Sequence, residues 1–525
     1  MRPVIPMVAA MLTVAACSSI QPVQPQSPAP STGPVRAGGT LTFALNADPD
    51  HLDPTLSRSL VSRQIFHAMC EKLYDVDEKV QVIPQLAAAL PSISPDGRTY
   101  TIPLRAGVRF ADGTPLDAEA VKRSLDRHLT LETSSRRSEL GPITAVRATD
   151  PRTVTITLER PTAPLTAALA DRAGMVMSPK ALQGNFAAGP VCVGPFKFAS
   201  RVPQSSIELV RDPNYYDAAK VKLDKLVYRI ITDGSIRAAN LRSGDAQVAD
   251  TISPEDVPRL GADPNLRVLQ SDSLGYQSLT VNVGNTDGLG KPPKTLGTPI
   301  AKDARIRIAL EHAIDRDALV KTVFRGLYRT ACSPVSPNSP YTSERAQQCR
   351  PHDPAKARQL LAEAGAAVPY KIKMAVTNTP LNLRLAQTLQ AMVKDGGFEM
   401  EIQAAEFASL LDLQDAGDYE TLQIGWSGRV DADANLTPFV RTQAAQNVAG
   451  YSDEQVDALL DKAREQLQPA ERAQTYAQVI ELLQRDNPLI YLYRQRNITG
   501  VSARLTGVQG FADGLVRVAF AGFVS

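Results

Sequence analysis

Few residues in this chain have types and spacings that could do chemistry: five cysteines, five histidines, one tryptophan and closely spaced carboxylates such as Asp431 and Asp433. The two aspartates have the make-up of an acid–base couple. Spacing alone does not separate such a pair from solvated or capping carboxylates. No nucleophile is set up beside them. The chain lacks His-Glu-x-x-His, Cys-x-x-Cys and Ser-x-x-Lys, and its histidines are too scattered for a zinc site. Gly425-Trp426-Ser427-Gly428 falls one residue short of a Gly-x-Ser-x-Gly elbow. Gly284 and Gly290-Lys291 stand one residue too far apart for a phosphate-cradling loop, and Pro292 would block the helix that must follow. The sequence thus predicts no catalytic residue, no metal and no cofactor.

Thiol chemistry is the exception. After Met1-Arg2 a short apolar stretch, too short to span a bilayer, runs into Val14-Ala15-Ala16-Cys17. This has the form of a lipoprotein export signal over residues 1–17, whose Cys17 thiol becomes the lipid attachment point. Residues 18–35, rich in Ser, Gln, Pro and Ala, cannot bury enough surface to offset their ordering entropy and read as a flexible tether. No later stretch is long and apolar enough to cross a membrane. The expectation is a body hung by a lipid on the periplasmic or extracytoplasmic face of the envelope. Cys70, Cys192, Cys332 and Cys349 remain. In an oxidising compartment they suggest two disulfides with three possible pairings. The Ser- and Pro-rich loop between Cys332 and Cys349 favours that pair, which leaves Cys70 with Cys192.

The elements that must position these residues belong to a mixed α/β chain of 525 residues, of which 43% are hydrophobic and 21% charged. That balance builds real cores and excludes wholesale disorder. Lys and Arg number 57 against 55 Asp and Glu, so the net charge of +2 supplies no field for nucleic acid. Periodicity predicts a strand at 41–45, a helix at 60–74, and a hairpin with turns at 95–97 and 111–113. A helix at 118–129 capped by Asp117 and a strand at 152–158 follow. Further strands are read at 196–198, 207–209, 225–231, 278–282 and 489–493. The Gly- and Pro-rich loop 284–299 is a candidate boundary. Helices are read at 304–314 and 316–324. Asp353 caps a third, with Pro354 at its first position and Gly365 past its end. Ser452 with Gln455 forms a capping-box pattern.

The ordered string of segments resembles the extracytoplasmic solute-binding proteins of ABC importers, in the family that holds the dipeptide-, oligopeptide- and nickel-binding proteins. It is carried by Gly39-Thr40-Leu41, Leu52-Asp53-Pro54, Ser94-Pro95-Asp96-Gly97, Leu104 to Phe110, Asp112-Gly113-Thr114-Pro115 and Val193-Gly194-Pro195-Phe196. Arg305 to Leu310, Asp353 to Ala357 and Val456 to Leu460 extend it through the second half. The resemblance implies a class II periplasmic-binding-protein fold, a Venus flytrap of two lobes with an extra subdomain in lobe one. Lobe one would hold 36–82, 191–283 and 487–525, the subdomain 83–190 and lobe two 284–486, with chain crossings near Val283 and Asp486. It also implies a monomeric receptor that captures peptides or peptide-like solutes and delivers them to permease subunits with their ATPases. Opine, glutathione-like or metal-chelate ligands on the same fold, an exported hydrolase, and an envelope sensor or adhesin are the alternatives.

The same resemblance places the ligand. Trp426, in the loop after 421–425, matches the family's binding-loop position and offers an apolar face and one N–H donor; the competing assignment is a core Trp. His51 and Leu52 would face the cleft from lobe one. Tyr276 is either a third contact or a buried hinge residue, and Tyr493 and Arg494 are further candidates. In the peptide binders an acidic residue follows the Trp and pairs with the peptide's ammonium group. Here Ser427, Gly428 and Arg429 follow it. Either Arg429 welcomes an anion, so that the ligand is not an ordinary free-amino peptide, or it pairs with Asp431 or Asp433, one of which takes over the ammonium role.

Overall fold

The computed structural model of the chain describes residues 33–524. The expected export signal, Cys17 and most of the tether fall outside the described residues. Val35, counted with the tether, already bridges to Val524, and Arg36 N donates to Phe523 O at 2.8 Å, so the folded body begins there.

Thr40–Leu45 is an alternating strand whose Leu41, Phe43 and Leu45 are fully buried. It lies parallel to Lys225–Ile230 and to the short Val248–Ala249. Antiparallel pairing extends this sheet on one side to Arg496–Ser502 and Leu266–Asp272, and on the other to Ser206–Arg211 and Phe196–Val202. It has seven strands in all. A second, six-stranded sheet runs in the order Arg329–Thr330, Leu489–Arg494, Tyr276–Val281, Thr421–Trp426, Tyr370–Thr377, Phe398–Ala405. A four-stranded antiparallel sheet lies within 83–190: Ser92–Ile93, Thr99–Pro103, Thr153–Leu158 and Ile143–Asp150. Its buried Tyr100, Ile102, Val154 and Ile156 belong to the same hydrophobic core as Phe43 and Phe66, so this segment is welded to the first lobe.

The chain crosses between the two large sheets at residues 273–275 and at Gln495, not near Val283 and Asp486. Tyr276–Val281 and Leu489–Arg494, expected in lobe one, pair with each other and with Thr421–Trp426 in the second sheet. The crossing strands stay together, since Ser273 N donates to Gln495 O at 3.3 Å and Arg494 Nη1 to Gly275 O at 2.8 Å. An alternating apolar strand does not announce which sheet it joins, and the Gly/Pro loop that suggested a boundary is an internal connection of lobe two.

Local punctuation decides most helix ends. Asp117 accepts from Ala120 N at 2.9 Å to start Ala118–Thr130, and Asp353 accepts from Lys356 N at 2.9 Å to start Pro354–Glu363. The helix expected over 60–74 stops at Met69, because Tyr74–Val76 turns into a strand pairing with Val82–Pro84. Asp453, not Ser452, caps Glu454–Glu465. It accepts from Gln455 N and Val456 N at 2.8 and 2.9 Å, while Ser452 Oγ meets Thr442 Oγ1. Disulfides join Cys70 to Cys192 and Cys332 to Cys349. Among the described residues no helix is long and apolar enough to cross a membrane.

Candidate functional site: a cleft between the lobes

A cavity of roughly 650 Å³, counting the open solvent at its mouth, lies between the lobes. The first lobe and its subdomain supply Arg63, Val76, Glu139, Ala168, Asp171 and Asp513 to its lining, among others; lobe two supplies Trp426, Arg429, Val430, Asp431, Asp433 and Arg464.

Trp426 ends the strand Thr421–Trp426, directly opposite Tyr276. Its indole N–H donates to Asn435 Oδ1 at 2.9 Å, so the donor expected to serve a ligand is already used inside the loop. The same Asn435 oxygen accepts from Arg429 N at 2.7 Å, and Asn435 Nδ2 donates to Arg429 O at 2.9 Å. One side chain thus fixes both the ring and the turn after it. Phe439 meets the indole edge-on and the Arg429 guanidinium lies over its ring, 4.1 Å from the centroid. Gly428 sits at φ +85° with its α-carbon against the crossing strand. A Cβ there would come within 2.4 Å of Gly275 N, so only glycine lets the loop approach the hinge so closely.

Arg429 does not pair with Asp431 or Asp433. Its Nε faces Asp171 Oδ2 across the cleft, and its Nη1 donates to Ser427 Oγ at 3.1 Å and Gly428 O at 2.7 Å. Asp431 is held by Arg472 at 2.5 and 2.8 Å with help from Tyr341 Oη, and Asp433 by Arg464 at 2.8 Å through both oxygens. Forked pairing of this kind saturates a carboxylate. The nearer guanidinium wins because each helix facing the loop brings its own. Asp171 is shared with Arg63 Nε at 3.0 Å, whose Nη2 reaches Asp513 Oδ2 at 2.8 Å. Burial alone would raise the Asp171 carboxyl, but Arg429 and Arg63 outweigh it and hold the group well below the usual carboxylate range. Burial would likewise raise Asp433, and Arg464 reverses that. Burial, then the like charge of Arg63, pushes the Arg429 guanidinium down to about 10, leaving it cationic at neutral pH.

Of the expected contacts, Trp426, Arg429 and Asp431 line the cavity. Ser427 and Gly428 stand behind Arg429 as its acceptors. Tyr276 is buried against Phe439 and Tyr491 and supports the Trp strand from behind. His51 and Leu52 do not line the cavity: His51 is exposed and Leu52 is buried in the core of the first lobe. Tyr493 packs on Phe324 and Tyr328, and Arg494 spends its donors on the carbonyls of Gly275, Ser333 and Val335. Both brace the crossing rather than the cleft. Sequence reasoning missed Arg63, Glu139, Asp171 and Arg464. The available signal was Asp171-Arg172, a charged pair inside the apolar run 165–177, where charges are retained only when paired. The cavity lining holds no hydroxyl, thiol or imidazole side chain, and among the described residues no group of His, Cys, Asp and Glu is placed to hold a metal ion.

Residues 81–447 match the model of the bacterial extracellular solute-binding proteins, family 5. The glutathione-binding protein GsiB of Salmonella paratyphi A is 30% identical over 489 residues, covering 90% of this chain and 92% of the relative. The Helicobacter pylori periplasmic binding protein DppA, solved with the peptide STSA, superposes with a TM-score of 0.82 at 26% identity, over 93% of this chain and 99% of that one. AgaA from A. tumefaciens R10, solved with agropinic acid, gives a TM-score of 0.81 at 26% identity, over 92% and 96%. The chain belongs to family 5 of the bacterial extracellular solute-binding proteins. It is a solute-binding protein of an ABC importer and not an enzyme.

Proposed function

We propose that this chain is a lipid-anchored receptor that captures a peptide or peptide-like small solute between its lobes and hands it to the permease of an ABC importer. The observation that carries the reading is the cavity lined from both lobes, centred on the Trp loop. A solute touching both walls binds the closed arrangement better than an open one and shifts the population towards it. Moving that population from 1:99 to 99:1 takes a differential affinity of about 5.5 kcal/mol. The double crossing at 273–275 and Gln495 is the place where such a rotation is absorbed, and ATP hydrolysis is left to partner subunits. Relatives with glutathione, peptide and opine ligands support a small, polar, amino-acid-derived solute. The lipid attachment at Cys17 rests on the sequence alone.

Trp426 is the only tryptophan of the chain and sits in the cleft, which makes it an internal reporter. Titration with the cognate solute is expected to change its emission and to reduce the radius of gyration in solution scattering. Deletion of the gene is expected to abolish uptake of that solute. An unchanged scattering profile with a solute that demonstrably binds, or undiminished uptake in the deletion strain, would sink the proposal.

A further inference from the structure

The chain crosses between its lobes beside a second cavity, and the side chains around that cavity are unbalanced in charge. It measures roughly 270 Å³ with the open solvent at its mouth and shares no lining residue with the cleft. Ser273 and Gln495, one from each crossing, line it together with Asp272, Arg329, Arg494 and Arg496. Three guanidinium groups thus stand against one carboxylate. Asp272 is also the only carboxylate among the described residues that pairs with Arg329 or Arg496. Arg494 pairs with none. It is buried and spends Nη1 and Nη2 on the carbonyls of Gly275, Ser333 and Val335. Burial pushes its guanidinium down to about 10, which leaves it cationic at neutral pH. The lining therefore carries an excess of two positive charges.

Two of these cations are presented to solvent. The side chains of Arg329 and Arg496 are 61% and 21% exposed. Arg329 lies on the edge strand of the second sheet, directly opposite Arg494, whereas Arg496 opens a strand of the first sheet, directly opposite Asp272. Their guanidinium groups therefore come from different lobes and meet at Asp272. Arg496 aims Nε and Nη2 at the same oxygen, Oδ1, at 3.2 and 3.1 Å. Arg329 Nη2 stays 3.5 Å from Oδ2, too far for a good hydrogen bond. Nη1 of Arg496 and the fork of Arg329 are left without a hydrogen-bond acceptor among the described residues. Such forks match the paired oxygens of a carboxylate or phosphate.

We propose that the hinge binds a small oxyanion, of which inorganic phosphate is the simplest, between Arg329 of lobe two and Arg496 of lobe one. Held by one guanidinium from each lobe, the anion cross-links them in the arrangement seen here, in which Arg429 meets Asp171 across the cleft. An anion that prefers this arrangement favours closure, and by reciprocity closure tightens the anion. The hinge cavity is then a regulatory site, separate from the solute's.

The test is calorimetric titration of the full-length chain with inorganic phosphate at constant ionic strength, with chloride making the balance. Saturable binding with a Kd of about 1 mM or tighter is expected. Arg329→Gln and Arg496→Gln are each expected to weaken it about tenfold through loss of one charged fork. Hydrogen exchange at the amides of 273–275 and Gln495 reports the hinge. Phosphate is expected to slow it about threefold or more in the parent chain and to leave it unchanged in Arg329→Gln. Heat that does not saturate by about 20 mM phosphate, or equal affinity in the parent and both variants, overturns the site. Binding that leaves the exchange rates unchanged overturns its hinge role. If Arg496→Gln does not fold, Arg329→Gln decides, since that side chain is mostly in solvent. Neither measurement needs the solute, so failure here leaves the receptor reading standing.

Discussion

Asn435 carries more of the cleft's architecture than its single side chain suggests. Its oxygen accepts from the Trp426 indole and from Arg429 N, and its amide returns a bond to Arg429 O. All of these groups are buried, so removing the acceptor leaves two donors with nothing to bond. At about 1–3 kcal/mol for each stranded donor, Asn435→Ala is expected to cost about 2–6 kcal/mol of stability. The measurement is a shift in denaturant midpoint together with a red shift of Trp426 emission as the loop loosens. An unchanged midpoint would mean that water replaces the amide without loss. Sequence reasoning recognised Trp426 as central but not Asn435, because nothing in a lone Asn distinguishes a loop organiser from a surface residue.

The helix Leu60–Met69 illustrates how an element is tied at its end. Cys70 caps it through the Phe66 carbonyl and is covalently joined to Cys192, and Glu71 N donates to Val193 O at 2.7 Å. The Glu71 carboxylate is buried under Tyr215 and Tyr216, whose hydroxyls donate to it at 2.6 and 2.9 Å. Burial raises this carboxyl to about 7, more than the tyrosines and Lys72 pull it back. The unfolded chain ionises the group near 4.3. The native state therefore holds its proton longer, and stability falls as pH rises from about 4.3 to about 7, then levels off. At about 1.4 kcal/mol per unit the loss is of the order of 4 kcal/mol. Glu71→Gln keeps the shape without the charge, and its stability is expected to stay flat across that window where the parent declines. Equilibrium unfolding at pH 4.5 and 7.5 measures the difference; parallel curves would refute the assignment.

At the scale of the whole molecule, the lobes meet through charged contacts at the rim as well as through the cleft. Arg58 forks onto Asp415 at 3.0 and 2.8 Å, Arg160 reaches Asp461 at 3.1 Å, and Arg384 meets Glu255. The Arg58–Asp415 side chains are 21% and 36% exposed, so solvent screens the pair. A contribution of about 0.2–1 kcal/mol to the closed arrangement is expected. Asp415→Asn should then weaken solute binding no more than about fivefold, mainly through a faster off-rate, and high salt should reproduce the effect on the parent chain. Titrations at low and high ionic strength measure both. A loss of a hundredfold would show that Asp415 serves the site directly and not merely the rim.

What the sequence determined by itself is whatever neighbouring residues decide among themselves. Asp117 and Asp353 cap helices because an Asp side chain reaches a backbone N–H three residues on, and 316–324 is helical as its periodicity requires. The pairing of Cys332 with Cys349 across a short loop is legible for the same reason. The ordered motifs also suffice for the family. The tertiary structure alone decided where the chain crosses between sheets and which carboxylate meets Arg429. A strand such as Tyr276–Val281 satisfies its apolar alternation in either sheet, and only its neighbours in space choose. Asp171 lies far from Arg429 along the chain, in another lobe. Electrostatic pairing depends on distance through space, which closure of the two lobes sets and no local pattern encodes.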